Sequence, residues 1–598
     1  MRQFSLFFIL LFILSLLSSC NEDNRIEVDI QPQPVIELDS ETGIYAVKVG
    51  RELTIAPTVQ YADDALFSWT IDNKLVGTSA SYTSSWDEPG EVYITFRVQT
   101  DAGKAEELIK VEVAELGVPV ISLAIPASGL KVLAATDYIL TPDIQNSDLE
   151  DFTCTWIREG KTVSTEESYT FNEAETGMYI VTIEASNIDG TARRDIEVEV
   201  VEQLPYVVTF GSLSYFEAYT DRYTFTGRPV YLYPLLEYFQ DPLFEWEIDG
   251  EMTGTTERMF RFTPSVPGKY TIAVSVTEKT STTARLTRNV TRSVSKVRAE
   301  IDVYGVEDSE EQRYQAATGS SSALWNKVYE YTPAPGQFIG ELKTGGFTGS
   351  ETTQADAIAY AEKRLEQENW VSLGGFGGYI VVGFDHSIPR TDNDYDFAIQ
   401  ANAFEGSSEP GIVWVMQDAN GDGLPNDEWY ELRGSETGSS GTIQEYEVTY
   451  YRPAGKGMNV PWTDSQGKSG HIDYLSAWHQ QDFYYPAWVK EDVYTLRGTR
   501  LESRNIQDPQ TGHWANQTYA WGYADNLGED SLSGDAVDGS GQRNGFRISN
   551  AMHRDGTPAD LKYIDFIKVQ TGINAKSGWL GELSTEVCSF IDLSIKNK

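Results

Sequence analysis

One strand pattern occurs three times in the N-terminal half of the chain, and it constrains the fold more than any other feature. Each copy places a tryptophan, Trp69, Trp156 or Trp246, on a run in which apolar and polar residues alternate. A glycine and a second alternating run follow about two dozen residues later in each copy. Alternation of this kind is typical of half-buried β-strands. The tryptophans are 87 and 90 residues apart, a period that is too long for a solenoid and suits one small β-sandwich per copy.

The C-terminal half also has the patterning of a β-protein. From about Trp325 it is rich in Gly, Trp and Tyr, and one helix is predicted over residues 353–368, where Thr353 and Asp356 form a capping box. The three repeats resemble PKD-like or Ig-like domains. The sequence therefore predicts an all-β protein: three tandem Ig/PKD-like β-sandwiches followed by a larger jelly-roll-like β-sandwich with one helix. The expected boundaries are 33–116, 117–203 and 204–303 for the sandwiches, 304–324 for a linker and 325–598 for the C-terminal domain.

The N-terminus has the features of a secretion signal. Arg2 precedes an apolar run over residues 4–17, shorter than the roughly 20 residues of a membrane-spanning helix. The run ends in small residues followed by Cys20, and this end resembles a bacterial lipobox. The resemblance implies a lipoprotein signal peptide over residues 1–19, lipidation of Cys20 and a tether over residues 20–32. An ordinary signal peptide with a chance cysteine is the alternative.

The charge balance restricts the partners of the protein. With 46 Lys and Arg against 90 Asp and Glu, the formal net charge is −44. A field of this sign repels nucleic acid and anionic lipid headgroups. We therefore expect no nucleic-acid partner, and contact with a membrane through the lipid anchor only. The acidic residues just after Cys20 resemble an export tag for the outer face of an outer membrane.

Two cysteines remain beyond the N-terminal segment, Cys154 and Cys588. They lie more than 400 residues apart, in different predicted domains. We interpret both as small buried apolar residues, and no disulfide is predicted.

The most specific motif is an acidic loop that begins at Asp418. Oxygen-bearing side chains at its positions 1, 3 and 5 and a glycine at position 6 match the first half of an EF-hand loop. Its twelfth position is Trp429 and strands flank it, so it resembles the calcium loops found between strands of extracellular modules. We expect a structural calcium ion here, with a plain hairpin turn as the alternative. The expected ligands are Asp418, Asn420, Asp422 and Leu424, with Asp427 or Glu428 completing the shell.

Two acidic clusters precede this loop. They are Asp385 with His386 and residues 392–396, with Asn402 and Glu409 beyond. A second calcium site and solvated loop carboxylates are both compatible with them. The sequence has no Gly-x-Ser-x-Gly elbow or Walker loop, and its five histidines lack zinc-binding spacing. We expect no enzyme, although a glycosidase stays open because it needs only two suitably spaced carboxylates.

Aromatic residues crowd into a largely irregular stretch of about 60 residues in the C-terminal domain. Flat rings stack on sugar faces or on large planar ligands, and amides or carboxylates bind the edges. We interpret this stretch as a ligand platform, and a loop-rich hydrophobic core is the alternative. The residues of the predicted platform are Trp462, Trp478, Tyr484, Tyr485, Trp488, Trp514, Trp521 and Tyr523.

The C-terminal domain also resembles a known group of proteins. Segments 331–338 and 377–385, the acidic loop with the strand after it, and the end of the chain over 565–586 look like the C-terminal domain of Bacteroidota-type cell-surface lipoproteins with PKD domains. Such lipoproteins are similar to accessory proteins of TonB-dependent transporters. The resemblance implies a surface-exposed, lipid-anchored protein of the outer membrane that captures a corrinoid or a glycan for such a transporter. The sandwiches would then act as spacers. A cell-surface adhesin or structural spacer protein is the alternative function, followed by a glycan-active hydrolase.

Overall fold

The computed structural model describes residues 32–40, 42–114, 116–123, 125, 129–239, 241–279, 296–391, 394–453, 455–508, 513–532 and 541–595. The predicted signal peptide, Cys20 and nearly all of the predicted tether lie outside these residues. Almost all regular structure in the described part is β-strand, which confirms the predicted all-β class. None of the helices in these ranges has the length and apolar character needed to cross a bilayer.

The described residues form two compact units, one ending at Gly117 and one beginning at Val118. The first unit is a sandwich in which β2, β9, β8, β5 and β6 form a five-stranded sheet in that order, while β1 pairs with β4 and β3 with β7. Its strands are β1 Val35–Glu37, β2 Ile44–Lys48, β3 Leu53–Ile55, β4 Thr58–Gln60, β5 Leu66–Ile71, β6 Lys74–Gly77, β7 Tyr82–Ser84, β8 Gly90–Thr100 and β9 Gly103–Ala114.

The second and third sandwiches repeat this connectivity strand for strand, with five-stranded sheets in the orders β11-β18-β17-β14-β15 and β20-β27-β26-β23-β24. The second has β10 Val120–Ser122, β11 Leu130–Leu133, β12 Tyr138–Leu140, β13 Asp143–Gln145, β14 Thr153–Arg158, β15 Lys161–Ser164, β16 Tyr169–Phe171, β17 Gly177–Asn187 and β18 Gly190–Val201. The third has β19 Val207–Thr209, β20 Arg222–Phe225, β21 Val230–Leu232, β22 Leu235–Glu237, β23 Pro242–Ile248, β24 Glu251–Met252, β25 Phe260–Phe262, β26 Gly268–Glu278 and β27 Lys296–Val306. In all three, the second and ninth strands pair in parallel.

The repeated tryptophans fill the centres of the sandwiches. Trp69, Trp156 and Trp246 are fully buried. Each indole N–H donates to a backbone carbonyl 10 or 11 residues later, at 2.8–2.9 Å. The bond satisfies the one polar atom of the ring, so its apolar surface can be buried without leaving an unpaired donor.

A tyrosine two residues after the glycine that opens the second alternating run occurs in two sandwiches and not in the first. The hydroxyls of Tyr179 and Tyr270 each donate to the carbonyl four residues earlier, at 2.9 Å. In the first sandwich Val92 takes that position after the glycine, and Tyr93 comes one residue later. Because side chains alternate along a strand, this shift turns Tyr93 outward, and it is 50% exposed.

The C-terminal domain contains a six-stranded sheet (β28-β30-β42-β32-β33-β41), a four-stranded sheet (β36-β35-β34-β37) and a three-stranded sheet (β40-β31-β44). Two smaller pairs are β29 with β43 and β38 with β39. Its strands are β28 Lys327–Thr332, β29 Val371–Ser372, β30 Tyr379–Pro389, β31 Phe397–Ala401, β32 Gly411–Met416, β33 Trp429–Leu432, β34 Ile443–Tyr451, β35 Val460–Asp464, β36 Ser469–Ile472, β37 Val493–Arg500, β38 Asn505–Gln507, β39 Trp514–Asn516, β40 Gln542–Phe546, β41 Ala551–Met552, β42 Tyr563–Thr571, β43 Glu586–Val587 and β44 Ser589–Asp592.

The helices are few and short. The four-residue α1 (Glu310–Arg313) lies in the segment predicted as a linker, and two 3-10 turns span Ile548–Asn550 and Gly578–Leu580. The predicted helix is present as α2 (Gln354–Glu366), and its capping box forms as expected, with the Asp356 N–H donating to Thr353 Oγ1 at 3.2 Å.

Both described cysteines are free and buried, so the expectation of no disulfide is confirmed. Burial raises the pKa of the Cys588 thiol to about 12. The thiol therefore stays protonated and unreactive at neutral pH.

The second and third sandwiches pack directly against the C-terminal domain. The Tyr231 hydroxyl of the third sandwich donates to Asp555 at 2.7 Å. In the second sandwich, Gln145 Oε1 accepts a hydrogen bond from Asn459 of the C-terminal domain. These two sandwiches therefore belong to one compact unit with the C-terminal domain.

Candidate ligand-binding cavity and calcium loop

The six-stranded sheet presents one face to the hydrophobic core and the other to the third sandwich. Val413, Val415, Ile567 and Val569 alternate onto the core face and are fully buried. The residues between them therefore point toward the third sandwich. Lys568 of β42, Trp414 of β32 and Glu431 of β33 form a row across this face. Trp414 is the middle residue, because it pairs with Lys568 on one side and with Glu431 on the other.

A cavity of about 450 Å³ lies over this row. Its other walls come from the third sandwich, through residues 211–215, Arg222, Tyr231 and Tyr233, and from residues 495–499 on β37. The volume falls within the range of small-molecule sites, which commonly occur where domains meet. Its walls carry both aromatic rings and charged side chains of either sign.

Lys568 is the central cation of the cavity. Its Nζ lies 4.7 Å from the ring centroid of Trp429, 5.0 Å from that of Trp414 and 5.6 Å from that of Tyr379. These distances allow cation–π attraction, which helps to hold an ammonium group in a poorly solvated place. Burial nevertheless lowers the pKa of Lys568 to about 8. Among the described residues no carboxylate forms an ion pair with Lys568, so its N–H groups can serve a ligand.

The arginines around the cavity are already occupied. Arg222 donates to four backbone carbonyls at 2.7–3.3 Å, and burial lowers its pKa to about 10. Arg554 pairs with Glu445, with Nε–Oε1 at 2.7 Å, and Arg497 pairs with Glu447. These cations shape the walls, and Lys568 alone among the four has no such partner in the described structure.

Glu431 is the acidic counterpart of Lys568 at the far side of Trp414. It is 7% exposed and accepts a hydrogen bond from Thr499 Oγ1 at 2.6 Å. Burial raises its pKa to about 7. The cavity thus combines a lysine and a glutamate that both titrate close to neutral pH, and such perturbed groups cluster at functional sites.

The sequence contained a signal for this cavity that our prediction missed. Lys568 lies in the middle of β42, between Ile567 and Val569, and its neighbour β32 is apolar throughout. A charged residue in a central strand requires a special environment. Which strands pair, however, follows only from the fold.

The acidic loop folds between β32 and β33 as a set of nested turns. The Asp418 carboxylate accepts from the backbone N–H groups of residues 421–423 at 2.7–3.2 Å. Asn420 Oδ1 accepts from the Asp422 N–H, and Asp422 Oδ1 from the Leu424 N–H. Such turns orient the oxygens of positions 1, 3 and 5. Glycines at positions 4 and 6 have φ of +76° and +74°, where a side chain would be strained.

The two candidates for the closing carboxylate lie in different surroundings. Asp427 Oδ2 accepts from the Ala419 N–H at 2.9 Å, whereas its buried Oδ1 has no hydrogen-bond partner in the described structure. Burial holds the pKa of Asp427 well above its usual value, and the Asp418 charge adds to this. Glu428 lines the cavity beside Arg222 instead. Of the two candidates, Asp427 is therefore the one that has a buried carboxylate oxygen without a hydrogen-bond partner in the described structure.

The predicted aromatic platform does not exist as one surface. Tyr484, Tyr485, Trp488 and Tyr523 are at most 3% exposed and belong to the hydrophobic core, so a ligand cannot reach them. This corrects their assignment: rings in an irregular segment are still drawn into the core by their large apolar area. The other four, Trp462, Trp478, Trp514 and Trp521, remain partly exposed, and no ring contact joins them in the described residues.

Two of the acidic clusters upstream of the loop lie beside the end of β44: His386 Nε2 bonds Asp592 at 2.8 Å, and the Leu593 N–H donates to the Asp396 carbonyl at 3.0 Å. Asp385 bonds His386 at 2.6 Å, and Asp396 accepts from the backbone N–H of Ile548 at 2.6 Å. Residues 392 and 393 lie outside the described residues. Glu409 lies apart from them, in a group of buried carboxylates with Asp525.

The comparisons with known proteins identify the repeats. The family model of a PKD-like domain matches residues 33–100 and 118–187, which are the first two sandwiches. Among curated proteins none matches the sequence. Domains of the PKD and Ig type seldom carry catalytic residues, in keeping with a protein that is not an enzyme.

Similar solved structures consist of tandem sandwiches. An I-band fragment from titin is 13% identical, covers 46% of this chain and 99% of its own, and has a TM-score of 0.19. The three N-terminal domains of the highly immunogenic outer capsid protein of bacteriophage RB49 are 14% identical over 46% of this chain and 100% of their own, with a TM-score of 0.21. At such scores the likenesses carry no argument, and the sandwich fold rests on the strand pairing itself.

Proposed function

We propose that this chain is a lipid-anchored ligand-capture protein on the outer face of an outer membrane, and that it serves a TonB-dependent transporter. The observation that carries the proposal is the cavity ammonium of Lys568, held among three rings with no carboxylate partner in the described structure. The anchor and the location are supported by the lipobox-like end of the N-terminal segment at Cys20. The transporter is supported by the resemblance of the C-terminal domain.

The cavity favours a short acidic glycan as the ligand. A volume of about 450 Å³ suits a small molecule, and a corrinoid is several times larger than a monosaccharide. The rings of Trp414 and Trp429 offer faces to a sugar, and the ammonium of Lys568 suits a carboxylate. Glu431 would accept from a sugar hydroxyl when it is ionised.

Ligand binding can be tested by titrating the purified chain with uronic-acid and sialic-acid oligosaccharides and with cyanocobalamin. We expect saturable binding of an acidic oligosaccharide, with a loss of at least tenfold in affinity in Lys568→Met. The exposed Lys468→Met, on the turn between β35 and β36, should bind as the wild type does. Equal affinity of both variants would remove the cavity from the proposal, and binding of cyanocobalamin alone would replace the glycan by a corrinoid.

The lipid anchor is tested separately by Cys20→Ser. The variant should appear in the soluble fraction and should incorporate no palmitate. If it still sediments with the outer membrane and takes up labelled palmitate, the anchor proposal fails, whatever the cavity binds.

We also propose that the loop from Asp418 to Asp427 holds a structural calcium ion. The unpartnered and buried Oδ1 of Asp427 supports this, because a buried carboxylate oxygen needs a cation or a donor. Asp427→Asn should bind one calcium ion fewer per chain by calorimetric titration. Its neighbour provides the matched control, since Glu428→Gln should keep the wild-type stoichiometry. Loss of an ion in the second variant and not in the first would refute this ligand set.

An adhesin or spacer protein is the second candidate function. PKD-like repeats fit such a role, and the first sandwich forms a compact unit of its own. Adhesion would leave the cavity without a ligand. Cell-binding assays with the chain truncated before Val118 would then show a loss that Lys568→Met does not cause.

A further inference from the structure

Three carboxylates from distant parts of the sequence meet inside the C-terminal domain. Glu409 precedes β32, Asp525 precedes β40 by some 17 residues, and Glu586 begins β43. One carboxylate oxygen of each lies within 4.8 Å of the other two. No other group of three such residues in the described part of the chain comes this close.

The backbone fixes this meeting point. The Glu409 N–H donates to the carbonyl of Asp525 at 2.9 Å, and the Glu586 N–H donates to Asp525 Oδ2 at 2.9 Å. Thr585 Oγ1 donates to the Glu409 carbonyl at 2.8 Å. Three chain segments are thus tied together at the point where the carboxylates converge, so the group does not depend on mobile surface side chains.

The group lacks a positive charge to balance it. Asp525 is 1% and Glu586 is 3% exposed, while Glu409 is partly exposed. None of the three forms an ion pair with a Lys, Arg or His of the described residues. Burial, reinforced by their mutual repulsion, holds the pKa values of Glu409 and Asp525 well above their usual range. Three buried like charges at this separation need either protons or a cation.

Hydrogen bonds hold the group in place, and Glu586 bonds the side chains of Ser372, Asn402 and Glu409. Glu586 Oε1 accepts from Ser584 Oγ at 2.6 Å, and Asp525 Oδ2 is taken by the Glu586 N–H. Asp525 Oδ1 is buried and has no hydrogen-bond partner in the described structure. A buried carboxylate oxygen without a donor is rare in native proteins, and here it belongs to a residue of the carboxylate group.

We propose that Glu409, Asp525 and Glu586 bind a calcium ion. The group offers only oxygen, which suits a hard cation and not zinc, since zinc prefers imidazole and thiolate. Carboxylates that hold calcium bind it without strict octahedral geometry, which makes calcium a better fit than magnesium. The partly exposed Glu409 provides the side from which the ion enters. The ion ties β43, near the C-terminal end, to two loops, and this site is independent of the proposed ligand cavity.

The test uses the full chain, stripped with EDTA and then titrated with CaCl₂. Glu409→Gln removes one ligand charge at the accessible side of the group, and Glu405→Gln, exposed on the same loop, is its control. In EDTA the Glu409→Gln variant should melt at a higher temperature than the wild type, because repulsion is relieved. In CaCl₂ the order should reverse, and this variant should bind one calcium ion fewer than the wild type or Glu405→Gln.

A second variant keeps the test decisive if Glu409→Gln fails to fold. Asp427→Asn, which disables the acidic loop, should still bind one calcium ion, and MgCl₂ should not displace it at equal concentration. The proposal is overturned if Asp427→Asn binds no calcium. It is equally overturned if Glu409→Gln keeps both the wild-type stoichiometry and the wild-type shift in melting temperature. Neither outcome bears on ligand capture in the cavity.

Discussion

Lys568 and Glu431 show how a β-sheet can place opposite charges beside a ring in a half-buried site. They flank Trp414 on neighbouring strands, so the register of the sheet alone sets their separation. Burial shifts both toward neutrality, lowering the pKa of the lysine to about 8 and raising that of the glutamate to about 7. Their charges therefore change with pH close to neutrality.

The raised pKa of Glu431 makes the stability of the C-terminal domain depend on pH. An unfolded glutamate loses its proton near pH 4.3, whereas Glu431 keeps it to about pH 7. Between these values the folded state binds the extra proton, so the free energy of unfolding falls as the pH rises. Thr499, Glu445, Arg554 and Lys568 face this carboxyl. Between pH 5 and pH 8 the free energy of unfolding, measured by urea denaturation, should fall by about 2 kcal/mol less in Glu431→Gln than in the wild type.

The control for this measurement is Glu405→Gln, because Glu405 is exposed. Its stability should follow the wild type at both pH values. A Glu431→Gln variant with the wild-type pH dependence would mean that the carboxyl is ionised in the folded protein at pH 5.

The tryptophans of the predicted platform should separate by burial. Trp488 is 3% exposed and packs against Tyr331 and Phe347, so Trp488→Ala should destabilise the C-terminal domain by about 3–5 kcal/mol. Trp478 is 68% exposed, and Trp478→Ala should change stability by less than about 0.5 kcal/mol. Calorimetry of both variants compares them directly. A large loss at Trp478 would indicate packing that its exposure does not show.

Local signals were sufficient to predict individual elements. The capping box located the start of α2, and alternation placed Trp69, Trp156 and Trp246 on strands. The first sandwich shows where such signals end. A shift of one residue after the turn is invisible to a pattern that tolerates variable turns, yet it turns Tyr93 to the exposed face. Elements with a short-range physical cause are therefore predictable, and their exact register is less so.

The N-cap of α2 offers a test at this scale. Thr353→Ala removes the acceptor for the Asp356 N–H and should cost about 1 kcal/mol. Thr352→Ala changes an exposed residue just outside the cap and should be neutral. Thermal unfolding of the two variants gives the difference. Equal melting temperatures would show that the helix depends on its packing against β28 and not on its cap.

The candidate site could be predicted only in part, because its decisive contacts join distant segments. The sequence indicated the acidic loop, whose ligands lie within ten residues, but not the cavity, which brings residue 211 to residue 568. The carboxylate group likewise unites residues 409, 525 and 586. Contacts between such distant segments depend on the order of strands in the sheets and on how one domain packs on another. Neither produces a local pattern that can be recognised in the sequence.

The docking of the third sandwich should depend strongly on Arg228. Its guanidinium contacts Glu310 at 3.2 Å, and both side chains are largely buried. Arg228→Ala leaves this carboxylate with Lys562 Nζ, at 3.7 Å, as its one remaining cation in the described structure. The substitution should cost about 2 kcal/mol, so the third sandwich should unfold in a separate, earlier transition. Arg193→Ala, whose 3.7 Å contact with Asp195 is exposed, should leave the calorimetric profile unchanged. One shared transition in both variants would show that other contacts suffice.

The parallel pairing of the second and ninth strands has a mechanical consequence. Because these strands point the same way, pulling on the two ends of a sandwich slides one along the other and loads all the hydrogen bonds between them together. Strands that lie antiparallel with their ends together would instead unzip bond by bond under much smaller force. Each sandwich should therefore withstand a larger pulling force than a sandwich whose terminal strands lie antiparallel.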